Sequence, residues 1–208
     1  MPTLLVDHPL VAHRLATLRD SATDRPNFRA ALDELASLLV YEACRSLPVD
    51  SATVTTPVGE APAKRLSATP ILVPVLRAGL GMLNGALRLL PEAEVGFVGL
   101  KRDELTLLPD SYVTTLPHEL AGRTALVLDP MLATGGSALH TLRLLERCGA
   151  GRVSLCCVLA APEGLAALDE ADFDHVEVVT AAVDSHLNEV GFIVPGLGDA
   201  GDRQFGDY

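Results

Sequence analysis

Tryptophan is absent from this 208-residue chain, and aromatic residues make up only 4% of it. Proteins that bind single-stranded nucleic acid stack the bases on aromatic side chains, so this composition disfavours such a surface. Positive charge is also scarce: 16 lysines and arginines face 27 aspartates and glutamates, the formal charge is −11, and the only lysines are Lys64 and Lys101. We therefore expect no nucleic-acid partner, and any bound phosphate must be held by arginines and backbone N–H groups.

Long apolar runs are missing as well. The chain is 49% hydrophobic with a mean hydropathy of +0.30, but no run approaches the roughly 18–20 apolar residues that a membrane span requires. The first fifteen residues, MPTLLVDHPLVAHRL, carry Asp7 and His8 and do not follow the pattern of a signal peptide. These features predict a cytoplasmic protein without a membrane partner.

The four cysteines include no CxxC pair. Cys156 and Cys157 are adjacent in the apolar run VSLCCVLAA, so we interpret them as buried, reduced thiols within a strand. The six histidines are scattered, and no group of His, Cys and Asp shows the spacing of metal ligands. The sequence therefore predicts no metal centre built from protein side chains alone.

Short apolar runs alternate with segments of helical spacing. This pattern is typical of an α/β fold with a mostly parallel central sheet flanked by helices. We expect a single domain over residues 1–208, with an N-terminal helical arm, an extended excursion over 101–117 and a C-terminal extension; residues 49–68 are either a hairpin or a loop. The strands are predicted at 71–76, 94–100, 124–129, 153–161 and 175–183, and the helices at 27–47, 80–90, 137–150 and 163–171.

In a sheet of this kind, ligands gather at the carboxyl ends of the strands. Arg77, Lys101–Arg102, Asp129 and Asp184 each follow a predicted strand. The most informative of these positions is Asp129, because it opens the segment DPMLATGGS, which runs directly into a predicted helix.

The segment 129–137 has the chemistry of a cradle for a sugar phosphate. Its glycines allow the backbone to approach a phosphate closely, and the start of the following helix offers unpaired N–H donors and a partial positive charge. Thr134 and Ser137 can donate hydroxyl hydrogen bonds, and Asp129 can accept hydrogen bonds from sugar hydroxyls. Glycine content alone would favour a simple, tight strand-to-helix turn, and Ser137 could be an ordinary helix cap.

Several segments together resemble the uracil phosphoribosyltransferase family. DPMLATGGS resembles the ribose-phosphate loop of phosphoribosyltransferases in general. The remaining likeness is carried in consistent order by VPVLRAGLGM (73–82), GLKRDELTLLP (99–109), AAPEG (160–164), LNE (187–189) and GFIVPGLGDAGDRQFGD (191–207). The last of these resembles the C-terminal uracil-binding signature of the family and is the most specific.

The resemblance implies transfer of a phosphoribosyl group from 5-phosphoribosyl 1-diphosphate (PRPP) to N1 of uracil, which yields UMP and diphosphate. It implies that Arg77 and Arg102 meet the diphosphate and act in catalysis with Asp129. The implied PRPP-binding residues are Arg77, Arg102, Asp129, Pro130, Met131, Leu132, Ala133, Thr134, Gly135, Gly136, Ser137 and Asp199. The implied uracil-binding residues are Ile193, Gly198, Asp199 and Ala200.

The resemblance also implies Mg²⁺ as a cofactor, held through PRPP oxygens, a homo-oligomer of two or more copies, and GTP as an effector. The N-terminal helix is the candidate interface between copies, and the 101–117 excursion lies where a flap would cover the site. Lys101 and Asn84 stand where related sequences usually carry tyrosine and aspartate. Two alternatives remain open: a non-catalytic protein that binds UMP or PRPP as a signal, and a phosphoribosyltransferase for another nucleobase.

Overall fold

A computed structural model describes the backbone of residues 1–102 and 109–206, and the side chains of these residues except 101, 102 and 109–111. Its centre is an eight-stranded sheet, and two small antiparallel pairs lie outside it. The strands are β1 (Thr3–Leu5), β2 (Val49–Thr55), β3 (Glu60–Leu66), β4 (Ile71–Leu76), β5 (Val98–Arg102), β6 (Pro109–Thr114), β7 (Ala125–Leu128), β8 (Met131–Leu132), β9 (Val153–Ala160), β10 (Val176–Val183), β11 (His186–Leu187) and β12 (Ile193–Val194).

The central sheet has the order β1-β10-β9-β7-β4-β5-β6, and β8 pairs with β9. Every pairing in it is parallel except that of β5 with β6. The expected α/β fold with a mostly parallel sheet is therefore confirmed. The helices are α1 (Pro9–Arg19), α2 (Arg25–Ala43), α3 (Leu80–Leu89), α4 (Gly136–Arg147), α5 (Pro162–Glu170) and α6 (Ala200–Phe205), and a 3₁₀ turn covers Cys44–Ser46.

Helices cover both faces of the sheet. Successive residues of a strand point to opposite faces, so neighbouring residues contact different helices. Cys156 belongs to the apolar cluster formed with α1, α2 and α3, whereas the adjacent Cys157 belongs to the cluster formed with α4 and α5. Both cysteines are fully buried, as expected. Burial on both faces explains why strands such as β9 are continuous apolar runs.

The ends of the helices follow local sequence signals. Asp24 accepts a hydrogen bond from the backbone N–H of Asn27 and caps α2, which begins with Arg25 and Pro26. Either Gly149 or Gly151 is expected from the sequence to end α4, and the structure shows that it is Gly149, whose φ is +74°. The Gly149 N–H bonds to the Glu146 carbonyl and the Ala150 N–H to the Leu145 carbonyl, which is the Schellman arrangement.

Three expectations needed correction or refinement. The N-terminal arm includes an unpredicted strand, β1, which pairs with β10 at the sheet edge. The strand expected over 94–100 begins only at Val98, although Val95 forms an isolated bridge to Leu72. Residues 49–68 form a hairpin rather than a loop, because β2 and β3 pair along seven positions.

The excursion over 101–117 is partly described. Its first two residues belong to the end of β5, and β6 lies further along it; these two strands pair antiparallel. Residues 103–108, between the two strands, lie outside the described part of the chain. Within the described ranges, no helix combines the length and apolar character needed to cross a membrane.

Candidate active site

The candidate site begins where β4 and β7 end side by side. Pro74 in β4 is in register with Leu128 in β7, so the residues that follow these strands meet at one edge of the sheet. Gly79 makes this approach possible, because a Cβ there would lie 2.1 Å from the Leu128 carbonyl oxygen. The result is that Ala78, next to Arg77, and Asp129 line the same cavity.

The loop after β7 forms a recess of about 150 Å³ lined by residues 131–138 and Gly191. Gly135 precedes α4 with φ +84°, a left-handed conformation that favours glycine, and no side chain caps the helix. The first N–H groups of α4 therefore face the recess together with Thr134 and Ser137. Seven of the nine residues of the segment 129–137, Met131 to Ser137, line this recess.

Close packing of α5 fixes the shape of that loop. A Cβ on Gly164 would lie 2.5 Å from the Ala133 carbonyl oxygen and 2.9 Å from that of Leu132. Beside it, Glu163 accepts a hydrogen bond of 2.8 Å from the backbone N–H of Leu187 in β11. The AAPEG segment thus supports both the phosphate loop and the hairpin that follows β10.

The C-terminal segment closes the other side of the site. It folds into the β11–β12 hairpin, a turn at Gly196 and α6, and it bounds a cavity of about 270 Å³. All four predicted uracil-binding residues line this cavity together with Asp129. The complete lining is Ala78, Asp129, Met131, Ala133, Val190, Gly191, Phe192, Ile193, Gly198, Asp199, Ala200 and Gly201.

Asp129 has an unusual environment for a carboxyl group at a strand end. The residue keeps some solvent contact where it lines the cavity, but the surrounding protein weakens the solvation of its carboxyl group, and this burial raises its pKa to about 7. A hydrogen bond from the backbone N–H of Met131 acts in the opposite direction. Near neutral pH the group is thus divided between its protonated and ionised forms, and small changes in its surroundings decide which dominates.

The two predicted diphosphate-binding arginines lie at the ends of neighbouring strands, Arg77 directly after β4 and Arg102 at the end of β5. The Arg77 guanidinium lies 3.2 Å from the Asp202 carboxylate of α6, and both side chains are about half exposed. Arg77 is not among the residues that line the 270 Å³ cavity, although the adjacent Ala78 is. Arg102 ends β5, and its side chain lies outside the described part of the structure.

Two arginines that sequence reasoning missed hold the C-terminal segment in place. Arg203 donates hydrogen bonds to the carbonyls of Leu18, Leu197, Asp20 and Thr23. Its guanidinium also lies 4.4 Å from the centre of the Phe28 ring. Its place inside the specific tail motif was a usable signal, because a guanidinium carries five N–H donors and can bind several carbonyls at once.

The second missed arginine is Arg19. It pairs with the buried carboxylate of Asp184, which was expected near the site because it follows β10, and it also bonds to the Gly196 carbonyl. Burial opposes ionisation of Asp184, but hydrogen bonds from Arg19 and the Gly196 N–H, with the Arg19 charge, outweigh it and lower the Asp184 pKa. No local pattern indicates this pairing.

Comparison with known proteins agrees with this geometry. The family model described as uracil phosphoribosyltransferase matches residues 5–207. The chain belongs to the uracil phosphoribosyltransferase family. A relative from Kineococcus radiotolerans named uracil phosphoribosyltransferase is 57% identical over 205 residues, which cover 97% of each chain.

Solved structures share the fold of this chain. The AQ2163 protein from Aquifex aeolicus matches with a TM-score of 0.92 and 40% identity, over 98% of each chain. An adenine phosphoribosyltransferase from Thermoanaerobacter pseudethanolicus has a TM-score of 0.51 at 14% identity, over 74% of this chain and 81% of that one. The latter likeness concerns the fold alone. Membership of the family implies PRPP and a nucleobase as substrates.

Proposed function

We propose that this protein catalyses transfer of the phosphoribosyl group of PRPP to N1 of uracil in pyrimidine salvage. The observation that carries the proposal is that the cavity in which Asp129 faces the segment 193–200 adjoins the recess of the loop 131–138, since Met131, Ala133 and Gly191 line both. A donor bound along the loop and a base bound by the tail would meet there. Holding two reactants in one orientation removes much of the entropic barrier to their reaction.

The proposed reaction is a displacement at C1 of the ribose. The bond from C1 to the diphosphate oxygen breaks, the bond from C1 to uracil N1 forms, and the N1 proton passes to the released diphosphate or to solvent. Arg77 and Arg102 would stabilise the negative charge that develops on the leaving diphosphate. No nucleophilic side chain is required, because uracil supplies the nitrogen that attacks.

Each end of PRPP has a matching part of the site. The 5′-phosphate would accept hydrogen bonds from the first N–H groups of α4 and from Thr134 and Ser137. Asp129 would accept hydrogen bonds from the ribose hydroxyls, which favours its ionised form. The remaining loop residues, Pro130 to Ala133, Gly135 and Gly136, would shape the backbone around the ligand.

Uracil would be read largely by the backbone of the tail. Ile193 is 5% exposed and Ala200 is 3% exposed, so main-chain groups beside them can bond to the ring edge without competition from water. Gly198, with φ +81°, permits a backbone path that a residue with a side chain rarely adopts. Cytosine carries an amino group in place of a carbonyl, and the resulting unpaired polar groups would disfavour it.

Mg²⁺ fits the donors in this cavity. Among the described residues, no group of three or more His, Cys, Asp or Glu could hold a metal by itself. Asp129 and Asp199 line the cavity, and Mg²⁺ is commonly bound by one or two carboxylates together with substrate phosphates. These two residues would therefore assist in holding the ion on PRPP, where it would neutralise diphosphate charge.

A base-selectivity assay tests the proposed function. The protein is incubated with PRPP, Mg²⁺ and radiolabelled uracil, cytosine, orotate or hypoxanthine, and the nucleotide products are separated. We expect UMP as the main product and loss of activity when Mg²⁺ is chelated. Preference for another base would contradict the assignment of uracil. Binding of UMP or PRPP without turnover would favour the sensor alternative.

The assembly and regulation that accompany the family resemblance are part of the proposal. Leu4, Leu5 and Leu10, in β1 and α1, are 40%, 52% and 56% exposed, which supports an interface between copies near the N-terminus. Light scattering should give a mass of at least two chains. Assays with and without GTP test its effector role, and cell fractionation tests the cytoplasmic location.

A further inference from the structure

Gln204 is a fully buried polar residue in α6. Its side-chain nitrogen lies 3.0 Å from the carbonyl oxygen of Ala78 and 2.7 Å from that of Ala200. The amide therefore donates to a distant segment of the chain and, one helical turn back, to the first residue of its own helix, and both of these alanines line the 270 Å³ cavity. Ala78 follows Arg77 in the predicted diphosphate segment, and Ala200 belongs to the predicted uracil segment.

The orientation of this amide is fixed by its surroundings. The side-chain nitrogen must face the two carbonyl oxygens, because the alternative would place an oxygen against both of them. On its other side, a Cβ on Gly81 would lie 1.7 Å from the Gln204 Oε1 atom. The absence of a side chain at Gly81 thus makes room for the amide.

The helix that carries Gln204 is attached to the rest of the protein at further points. Arg29 of α2 donates a hydrogen bond of 2.7 Å to the Gln204 backbone carbonyl. Asp202, two residues earlier, pairs with Arg77. Since Asp202 and Arg77 are half exposed, solvent weakens that pair. The amide of Gln204 also links the two segments and, because it is fully buried, water does not screen it.

We propose that Gln204 is a positioning residue that fixes the diphosphate segment relative to the uracil segment. This inference rests on the proposed function, because it assigns the two segments to the two substrates. Gln204 acts through the carbonyls of Ala78 and Ala200, which it holds at one separation across the cavity. Its loss should therefore weaken the binding of both substrates, although its own side chain lies behind the cavity wall.

The test is the substitution Gln204→Met, which keeps the length of the side chain and removes both donors. We expect KM to rise about fivefold to tenfold for PRPP and for uracil together, the size expected for lost hydrogen bonds to buried carbonyls. If Gln204 merely stabilised the fold, fewer molecules would be active, so the apparent kcat would fall while both KM values stayed unchanged.

A matched control is Thr180→Val. The Thr180 hydroxyl is also fully buried and also lies near two carbonyl oxygens, those of Val158 at 3.3 Å and Ala182 at 3.0 Å. These carbonyls belong to the central strands rather than to the cavity lining. We expect this variant to lose stability while both KM values stay within about twofold of the wild type.

Gly81→Ala provides a second, independent variant. Its added Cβ would displace the Gln204 amide, so it should raise both KM values in the same way, and the double variant should show less than the sum of the two effects. Unchanged KM values in these variants, or a rise for PRPP alone, would overturn the inference. The proposed function is tested separately, by formation of UMP by the wild-type protein.

Discussion

The guanidinium of Arg19 joins the carboxylate of Asp184 to the carbonyl of Gly196. Its nitrogens lie 2.8 Å and 2.5 Å from the two Asp184 oxygens and 2.8 Å from the Gly196 oxygen. The Asp184 carboxylate also accepts a hydrogen bond of 2.9 Å from the Gly196 N–H. This contact connects α1 and the end of β10 to the turn that leads into the proposed uracil segment, so the N-terminal arm helps to shape the site.

Replacing Arg19 should therefore affect both stability and uracil binding. Arg19→Met leaves the Asp184 carboxylate buried without its cation, and we expect a loss of about 3 kcal/mol in the free energy of unfolding and a higher KM for uracil. Urea denaturation and steady-state kinetics measure the two effects. Arg14→Met, in the same helix, is the control: Arg14 pairs with the half-exposed Glu34, so its loss should cost less than about 1 kcal/mol.

The pH dependence of stability tests the same contact. The folded-state pKa of Asp184 is lowered from its ordinary value of 3.8, so its stabilising contribution is present above pH 3.8 and is lost as pH falls through the folded value. We expect the wild type to exceed Asp184→Asn in stability at pH 6 and the difference to narrow below pH 3.8. A difference that stayed constant down to pH 3 would show that the charge of Asp184 contributes nothing.

Asp129 should make PRPP binding depend on pH. With a pKa of about 7, only a small fraction of the carboxyl is ionised at pH 6, and most is ionised at pH 8. If the ionised form binds the ribose hydroxyls, affinity for PRPP rises about tenfold over this interval. Calorimetric titration with PRPP at both pH values measures the affinities of the wild type and of Asp129→Asn. Because the ionisation of PRPP affects both proteins equally, the ratio of the two affinities reports the contribution of Asp129 alone.

Asp129→Asn should also lower turnover by about tenfold to a hundredfold while the fold remains intact. The folded protein binds the Asp129 proton more tightly than the unfolded chain does, so this group makes wild-type stability fall as pH rises from 3.8 to about 7. The asparagine variant lacks that decrease and should be the relatively more stable form at pH 8. Unchanged turnover would mean that Asp129 has been assigned the wrong role.

Gly135 offers a test of the phosphate loop with a matched control. Gly135→Ala places a side chain at φ +84° and 3.2 Å from the Cβ of Ala167, so we expect a loss of about 1 kcal/mol in stability and a clearly higher KM for PRPP. Gly122→Ala has a similar φ of +76° with no atom within 4 Å of its Cβ. Gly122→Ala should lose a similar amount of stability and keep the wild-type KM for PRPP. Equal KM values for PRPP in the two variants would contradict the proposal that the loop containing Gly135 binds phosphate.

Arg77→Ala tests the diphosphate contact. Loss of a charge-assisted contact to the substrate should raise the KM for PRPP about tenfold and weaken product inhibition by diphosphate, whereas the KM for uracil should change little. Arg45→Ala is the control, because Arg45 pairs with Glu42 on an exposed face of the molecule. An equal effect of the two substitutions on KM would indicate a general loss of positive charge rather than a specific contact.

The sequence by itself determined the inner strands of the sheet, the helices α2 to α5 and the place of the loop that is proposed to bind phosphate. Strands buried on both faces are continuous apolar runs, and residues such as Asp24 and Gly149 mark helix ends. Patterns within a few neighbouring residues are therefore sufficient to identify these elements. The same applies to the step from Asp129 into α4. By contrast, β1 has only three residues, all of them exposed. A segment this short shows no alternation of apolar and polar residues from which a strand could be predicted.

The tertiary structure alone decided which distant side chains meet. Arg19 reaches Asp184 across 165 positions of the chain, and Gln204 reaches Ala78 across 126. Such pairs form because the order of the strands and the packing of α1 and α6 bring their segments together, and no local spacing encodes that order. The residues proposed to bind substrate could thus be found along the sequence, whereas those that hold them in place appeared only in the fold.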